Sequence, residues 1–394
     1  MTTSKVAEQG RRVDTIENRW STDQLMTGIR FGPWLKLLQK NHFKFSPEYA
    51  HRIAWLTGMS IGASVLGQVE DALYGQRLAE MEVKPTPLFL LGHWRSGTTH
   101  LQNVLGKDPN HTVPTLYQVI FPSHFLLTGR IGPKLLAGAL PDKRSYDNVK
   151  QGWFEAAEDE IALAKMTGLS LYAGFMFPDH AQSYERYLDF LEVMPEERER
   201  WATSFKILIK KIMLDSGGKR VVVKSCPHSA RIRLILDLFP DAKFIHIHRN
   251  PYEVFASMVH MRGKVDWENF VQRPEKGYIE QRWEHTALIG DKVFERLIED
   301  RKLIPEGNYF EVPYAEFSGN ELVWLRRMYD QLQLPEFERF EDKVAPYLDS
   351  IKGYKKNQLD YPQDMKDFVW ERWRRVFDTW GYPREYPPAR RSAE

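Results

Sequence analysis

The spacing of apolar residues divides the chain into a helical start and an alternating strand-and-helix remainder. Residues 20–82 show the spacing expected of helices. A proline-bounded apolar run, KPTPLFLLGH, then predicts a buried strand over residues 86–92 of the kind found in parallel sheets. The segment that follows, TTHLQNVLG, has apolar residues at helical spacing and predicts a short helix that stops at Gly106.

The second half of the chain predicts a parallel sheet. RVVVK and KFIHIHR are strand candidates, and the helical pattern between them makes a strand–helix–strand unit, which requires parallel pairing. The middle third, residues 110–220, has no clean period before its last helix. The elements predicted after residue 194 are strands at 220–224, 243–249 and 308–314 and helices at 195–218, 229–239, 320–333 and 364–380, the last ended by Gly381.

We therefore expect an α/β fold with a central parallel β-sheet flanked by helices and a phosphate-binding loop after the first strand. The expected domains are an N-terminal helical region, residues 1–84, and an α/β domain, residues 85–385. Ligands of such sheets bind at the carboxyl ends of the strands. The 394 residues, 42% of them hydrophobic, are enough to bury a large core.

The first 20 residues are polar and charged and lack the apolar core that a secretory signal contains. The longest uncharged stretch, residues 53–69, is shorter than a membrane-spanning helix. It favours a packing helix, and a membrane-surface or substrate-channel helix is the alternative. We expect a cytoplasmic protein and leave peripheral membrane contact open.

Charge and cysteine content exclude several classes of partner. The 55 basic and 53 acidic residues give a net charge of +2, so the chain lacks the global basic footprint of a nucleic-acid-binding protein. Any anion site must therefore be built locally. Cys226 is the only cysteine, which excludes intramolecular disulfides and cysteine-based zinc sites, and no cluster has metal-ligand spacing. We predict no metal.

The loop after the first strand, GHWRSGTT, nearly matches a phosphate-binding loop. Gly92 and Gly97 have the spacing of G-x-x-x-x-G-K-[ST], but Thr98 occupies the lysine position. Backbone N–H groups at a helix start bind anions without a lysine, and Arg95 adds a planar fork of donors. The candidate phosphate-binding residues here are Arg95, Ser96, Gly97, Thr98 and Thr99.

An ATP-hydrolysing enzyme would need a lysine at position 98 and an acidic residue at a strand end to hold magnesium. Here the strand ends carry Lys224 and Arg249 instead. This favours a mononucleotide with additional anionic groups, bound without metal. A nucleotide kinase or NTPase with a degenerate loop is the alternative, and a catalytically silent nucleotide-binding protein is a third hypothesis.

A second anchor is predicted in HRNPYEVFASM, residues 248–258. Asn250 is a good N-cap and Pro251 suits the first helical position, so a helix begins here. Arg249 then lies at the strand end, and Ser257 lies about two turns into the helix.

Together these segments resemble the two signatures of sulfotransferases that use 3′-phosphoadenylyl sulfate (PAPS). FLLGHWRSGTTHL is similar to their P-[KR]-S-G-T-[TS] loop, with Trp94 in place of the usual proline. Arg249 and Ser257 have the spacing of the second signature. The resemblance implies that the loop binds the 5′-phosphosulfate and that Arg249 and Ser257 bind the 3′-phosphate. It also implies transfer of a sulfuryl group to a hydroxyl or amine, with adenosine 3′,5′-bisphosphate as product.

A bacterial branch of that family shares a K-x-x-x-H segment, here Lys224–His228, and an E-D-E cluster, here Glu158–Glu160. The family also closes a basic glycine loop over the 3′-phosphate. The candidate for it is DSIKGYKKNQ, and a solvated basic turn is the alternative. The residues that the resemblance assigns in this loop are Lys352, Tyr354 and Lys355.

For an in-line displacement, Arg95 and Lys224 are the expected electrostatic stabilisers. The base is left open between His228, whose side chain suits proton abstraction near neutrality, and Glu158 or Glu160, in a cluster whose repulsion would favour a proton on one carboxylate. The alternatives for this cluster are a solvated acidic turn and pairing with the cationic site. His93, His100 and His246 are expected to be packing or capping groups.

The acceptor is not fixed by any motif. Residues 31–66 and 121–141 are rich in apolar and aromatic residues, which favours a channel for a lipid, sterol-like or polyketide hydroxyl. The alternative is that these segments close the core over a sugar or another small molecule. The oligomeric state is not predicted.

Overall fold

The fold is built on a parallel sheet, as predicted. The structure is a computed structural model that describes residues 24–147, 149–275, 277–278, 280–353 and 359–386. Within these residues all strand pairs of the main sheet are parallel, in the spatial order β2-β3-β1-β4-β5. The strands are β1 (Leu88–Leu91), β2 (His111–Thr112), β3 (Arg220–Lys224), β4 (Lys243–His248) and β5 (Tyr309–Pro313).

Helices cover both faces of the sheet. In the described residues they are α1 (Phe31–Lys40), α2 (Ala50–Glu80), α3 (Thr98–Leu105), α4 (Leu116–Ile120), α5 (Phe125–Thr128), α6 (Gly132–Leu135), α7 (Asp159–Thr167), α8 (Pro195–Asp215), α9 (Ile232–Leu238), α10 (Pro251–Asn269), α11 (Arg282–Asp300), α12 (Tyr314–Phe317), α13 (Glu321–Gln331), α14 (Phe337–Ile351) and α15 (Gln363–Trp380).

The central strand β1 divides the core into two layers. All four of its residues are buried because helices lie on both sides. Phe89 belongs to one hydrophobic cluster together with Phe205 of α8, whereas Leu88 belongs to the other together with Leu101 of α3. The alternation of side chains along a strand therefore anchors helices on both faces, and it fixes the loop between β1 and α3 at the carboxyl edge of the sheet.

The predicted strands and helices after residue 194 are present, with boundaries that differ by up to three residues. The structure adds β2, α11 and α14, which were not predicted from the sequence. Between α6 and α8 the described chain forms α7 and several 3₁₀ turns rather than long elements, which explains the absence of a clean period in the middle third.

The helical start is formed by α1 and α2, joined by a turn. Helix α2 has 31 residues, almost twice the length of the uncharged stretch that predicted it. One side packs on the protein through buried residues such as Leu56 and Ala63, whereas Trp55 and Ile61 face solvent. None of the described helices combines the length and apolar character needed to cross a membrane.

Candidate active site

The loop between β1 and α3 needs glycine at two positions. Gly92 has φ of 147°, and a Cβ there would lie 2.6 Å from the carbonyl oxygen of Ile247. Gly97 has φ of 105°, and a Cβ there would lie 2.3 Å from Cδ2 of Tyr314. Both conformations are unfavourable for residues with side chains. The glycines therefore let the backbone turn tightly before α3 begins at Thr98.

Hydrogen bonds fix the shape of this loop. The Ser96 hydroxyl donates to the carbonyl oxygen of His93 at 2.8 Å, so this candidate residue holds the turn. The backbone N–H of Gly92 donates to Oγ of Ser229 at 2.8 Å. The N-terminus of α3, with its free N–H groups, is thereby aimed at the carboxyl edge of the sheet.

The two predicted anchors lie against each other. Nε of Arg95 donates to Oγ of Ser257 at 2.9 Å, and Nη1 of Arg249 donates to the carbonyl oxygen of Arg95 at 3.2 Å. Asn250 caps α10 as predicted, since its side chain accepts from the N–H of Tyr252. The cap starts α10 directly after Arg249, and this places Ser257 two turns along on the side of the loop.

Acidic side chains pair with both arginines. Arg95 donates to Oδ2 of Asp147 at 2.9 Å, and Arg249 donates to Oε2 of Glu253 at 2.6 Å. Arg144 also pairs with Asp147. Burial opposes ionisation of Asp147, but the two arginines hold the pKa of its carboxyl below the ordinary value.

A second cationic centre lies at the end of β3. Lys224 is nearly buried, and its Nζ donates to Oε1 of Glu158 at 2.8 Å and to Oγ1 of Thr99 at 3.2 Å. It therefore connects the loop side of the sheet to the carboxylate that precedes α7. The side chain of Glu158 is 19% exposed, so it is reachable from solvent.

Glu158 has a second donor that the sequence analysis did not identify. The hydroxyl of Tyr172 donates to Oε2 of Glu158, and Nε1 of Trp94 donates to the same hydroxyl oxygen at 3.0 Å. Burial and the neighbouring Glu158 raise the pKa of Tyr172 well above its ordinary value, so the phenol keeps its proton. Trp94, which replaces the family's usual proline, thus holds a tyrosine against the carboxylate.

The three adjacent carboxylates do not repel one another as a cluster; of the alternatives that the sequence left open, pairing with basic side chains is the one observed. Each one contacts a different basic side chain: Glu158 contacts Lys224, Asp159 contacts His228, and Glu160 contacts Arg231. The alternation of partners follows from the start of α7 at Asp159, where successive side chains point in different directions.

His228 and Glu160, both candidate bases, have no exposed side-chain area. Nε2 of His228 lies 2.6 Å from Oδ2 of Asp159, and its ring packs against Phe205. Burial opposes ionisation of Asp159, but His228 and the Ser225 hydroxyl hold the pKa of that carboxyl below its ordinary value. Glu160 forms a buried ion pair with Arg231 and accepts from Ser170. The structure thus separates both side chains from solvent.

The other candidates lie apart from this group. Lys352 follows α14 and pairs with Asp349 at 2.7 Å on the surface. Tyr354 and Lys355 lie outside the described residues. His93 stacks on Phe294 with ring centroids 4.9 Å apart, and burial lowers its pKa to about 4. No cluster of metal-ligating side chains occurs within the described ranges.

A family model described as "Sulfotransferase family" matches residues 87–339. Two relatives, from Mycobacterium bovis and Mycobacterium tuberculosis, are both named Omega-hydroxy-beta-dihydromenaquinone-9 sulfotransferase Stf3. Each is 33% identical over 368 residues, which is 93% of this chain and 93% of the relative.

Two solved structures share the fold. Sulfotransferase STF9 from Mycobacterium avium superposes with a TM-score of 0.66 at 16% identity and covers 96% of each chain. Sulfotransferase STF1 from Mycobacterium tuberculosis H37Rv superposes with a TM-score of 0.58 at 16% identity, covering 94% of this chain and 98% of that one.

Proposed function

The chain belongs to the sulfotransferase family, and we propose that it transfers a sulfuryl group from PAPS to a hydroxyl group of a lipid-like acceptor. This family membership argues against the alternative of a nucleotide kinase or NTPase. The observation that carries the choice of donor is the contact of Arg95 with Ser257, together with that of Arg249 with the loop backbone. These contacts put the candidate groups for two separate phosphates on one continuous surface.

The residues present fit a nucleotide with phosphates at both the 5′ and 3′ positions. The N–H groups at the start of α3 and the Thr99 hydroxyl suit the 5′-phosphosulfate, because helix N-termini bind anions. Arg249 and Ser257 suit the 3′-phosphate, since a guanidinium donates two parallel hydrogen bonds to phosphate oxygens. Arg95 lies between the two groups. In this proposal PAPS supplies the sulfuryl group, and Arg95 and Arg249 offset the negative charge of its phosphates.

We assign Glu158 as the base. Of the three adjacent carboxylates, Glu158 alone has a partly exposed side chain, whereas those of Asp159 and Glu160 are buried. Glu158 also contacts Lys224 beside the loop. The acceptor oxygen forms a bond to sulfur while the bond from sulfur to the bridging oxygen breaks, and the acceptor proton passes to Glu158. Lys224 offsets the negative charge that develops on the bridging oxygen, which leaves with the bisphosphate.

Tyr172 is a positioning residue in this mechanism. Its hydroxyl and Nζ of Lys224 donate to different oxygens of Glu158. Because the two donors come from different elements, they hold the carboxylate in a single orientation. The indole N–H of Trp94 in turn fixes the tyrosine by donating to its hydroxyl oxygen. The side chain is thereby preorganised to accept a proton from one direction.

The proposed acceptor is a membrane lipid that carries an alcohol. The Stf3 relatives are named for a hydroxylated menaquinone derivative. The apolar character of residues 31–66 and 121–141 supports the same class of acceptor in this chain. The helical region before residue 85 would then contribute apolar surface beside the α/β domain.

Calorimetric titration tests the donor. Adenosine 3′,5′-bisphosphate is expected to bind tightly to the wild type and at least tenfold more weakly to Arg249→Ala, because a charged hydrogen-bond donor to phosphate is lost. Arg198→Ala is the matched control, since Arg198 pairs with Asp237 at an exposed site on α8. Preferential binding of ATP with magnesium would contradict the proposal.

The base is tested separately. Glu158→Gln is expected to lower kcat by about 10²–10⁴ while the affinity for the bisphosphate remains, because a general base acts only in the transfer step. His228→Asn is the comparison. A loss of kcat in His228→Asn at unchanged stability, with Glu158→Gln active, would assign the proton to His228 instead.

A further inference from the structure

The solvent face of α2 is apolar where a helix on a protein surface ordinarily carries polar residues. Ile61, Val65, Val69 and Leu73 follow one another at intervals of four and are all exposed, so they form one stripe along the helix. Trp55 and Leu66 widen it. Between positions 54 and 69 none of the exposed residues of the helix is charged.

A second exposed apolar group lies on the segment that packs beside α2. Ile131 and Leu135 at α6 are 62% and 79% exposed. Two contacts join this segment to the helix: the N–H of Leu127 donates to Oε2 of Glu70, and Arg30, which pairs with Asp71, donates to the carbonyl oxygen of Ser123. We call the exposed sides of α1, α2 and residues 125–135 the apolar–basic surface.

Basic residues accompany the apolar side chains. The elements that carry this surface, α1, α2 and residues 125–135, contain six basic and three acidic residues, although the whole chain is close to neutral. Of the acidic residues, Glu70 is buried against Lys211, Asp71 pairs with Arg30, and Glu80 is the last residue of α2. The exposed lysines and arginines include Lys36, Arg77, Arg130 and Lys134. The surface therefore has the charge that complements anionic lipid headgroups.

The size of the patch favours a bilayer over a second copy of the chain. The exposed fractions of the six apolar side chains on α2 correspond to roughly 500 Å², as large as the largest apolar patch on an ordinary monomer. A standard protein interface buries ~800 Å² on each partner. A long helix with an apolar stripe and basic neighbours instead matches the form of helices that lie in a membrane interface.

We propose that the apolar–basic surface docks the enzyme on an anionic lipid bilayer, with α2 lying in the plane of the interface. The α2 stripe enters the boundary between headgroups and acyl chains, and the lysines and arginines contact headgroup phosphates. This inference rests on the proposed function for its purpose: a lipid alcohol as acceptor is presented to the enzyme by a membrane.

Co-sedimentation with vesicles tests the docking. The vesicles contain phosphatidylcholine alone or phosphatidylcholine with ~30% phosphatidylglycerol, enough to give an anionic surface. The double variant Val69→Asp/Leu73→Asp is expected to bind anionic vesicles at least tenfold more weakly than the wild type, because carboxylates resist burial in the interface. The matched control is Val323→Asp/Leu303→Asp, which changes the same residue types at exposed positions elsewhere, and it is expected to bind like the wild type.

Three results would overturn the proposal: absence of wild-type binding to anionic vesicles, an equal loss of binding in the control variant, or binding of Arg130→Gln/Lys134→Gln to both vesicle types like that of the wild type. Sedimentation velocity tests whether a second copy of the chain covers the stripe instead. A wild-type dimer that becomes monomeric in Val69→Asp/Leu73→Asp would assign the stripe to a dimer interface.

Bisphosphate binding and vesicle binding distinguish a failure of membrane docking from a failure of the proposed sulfuryl transfer. The docking variant is expected to bind adenosine 3′,5′-bisphosphate like the wild type and to transfer sulfate to an acceptor in detergent micelles, but to lose transfer to the same acceptor in vesicles. Absence of bisphosphate binding in the wild type would refute the proposed function, whereas vesicle binding would still decide the docking.

Discussion

The change Tyr172→Phe removes only a hydroxyl group, and the structure assigns that group two contacts. It donates to Glu158 and accepts from Nε1 of Trp94, which lies 3.0 Å away. Tyr172 and Trp94 are buried, so water does not replace the lost partner of the indole. An unsatisfied buried donor costs about 1–3 kcal/mol, and we expect the free energy of unfolding to fall by that amount.

The same change affects the transfer step. A hydrogen bond to a charged group contributes about 1.5–3 kcal/mol, and 1.36 kcal/mol corresponds to a tenfold change in rate. Without the Tyr172 hydroxyl, Lys224 alone orients the Glu158 carboxylate. We therefore expect kcat to fall by about 10- to 100-fold, while the affinity for adenosine 3′,5′-bisphosphate is unchanged.

The assay is a steady-state measurement of kcat together with bisphosphate titration and urea unfolding, and Tyr184→Phe is the matched control. Tyr184 is a buried tyrosine that accepts from Asn41 away from the site, so this change is expected to lower stability without lowering kcat. The double change Trp94→Phe/Tyr172→Phe removes the orphaned N–H and is expected to regain part of the stability. An unchanged kcat in Tyr172→Phe would refute the positioning role.

Other predictions concern the cation, the loop and a buried pair. Lys224→Met is expected to lower kcat by about 10²–10³ in a steady-state assay, whereas unchanged kcat would remove Lys224 from the transfer step. Gly97→Ala is expected to abolish bisphosphate binding in calorimetry, because its Cβ meets the Tyr314 ring, whereas Gly217→Ala, also at positive φ but in open space, keeps it. The pKa of Asp159 in the folded protein lies below the ordinary carboxyl pKa of about 3.9, so the ionised side chain stabilises the fold above that pH. This stabilisation is lost as the pH falls through the pKa of Asp159 in the folded protein. Asp159→Asn should therefore lower stability at pH 7 by about 3–5 kcal/mol and flatten its acid dependence in urea unfolding; an unchanged acid dependence would contradict this.

The sheet and the position of the glycine loop between β1 and α3 were predictable because they depend on local pattern. Each strand that the sequence indicated is an apolar run bounded by proline, glycine or charge, and the start of α10 follows from Asn250 and Pro251 alone. β2 was not predictable, since two residues carry no pattern. α11 has apolar residues at helical spacing, such as Val293 and Leu297, so its pattern was a usable signal.

The roles of the three carboxylates could not be predicted, because they depend on contacts between distant parts of the chain. Nothing local distinguishes Glu158 from Glu160, and the difference arises from Lys224 on β3 and Arg231 before α9. Tyr172 also carried no motif. The unusual Trp94 in the loop was the one available signal, since an indole N–H in a buried loop requires an acceptor.

Transfer itself is the most direct test of the proposed function. Radiolabelled PAPS is incubated with the wild type and a hydroxylated dihydromenaquinone in micelles, and the labelled lipid is quantified by chromatography with Glu158→Gln as the inactive comparison. The account predicts labelled sulfate ester and an equal amount of adenosine 3′,5′-bisphosphate from the wild type only. Release of bisphosphate without labelled lipid would contradict the acceptor class, and absence of both would contradict PAPS as the donor.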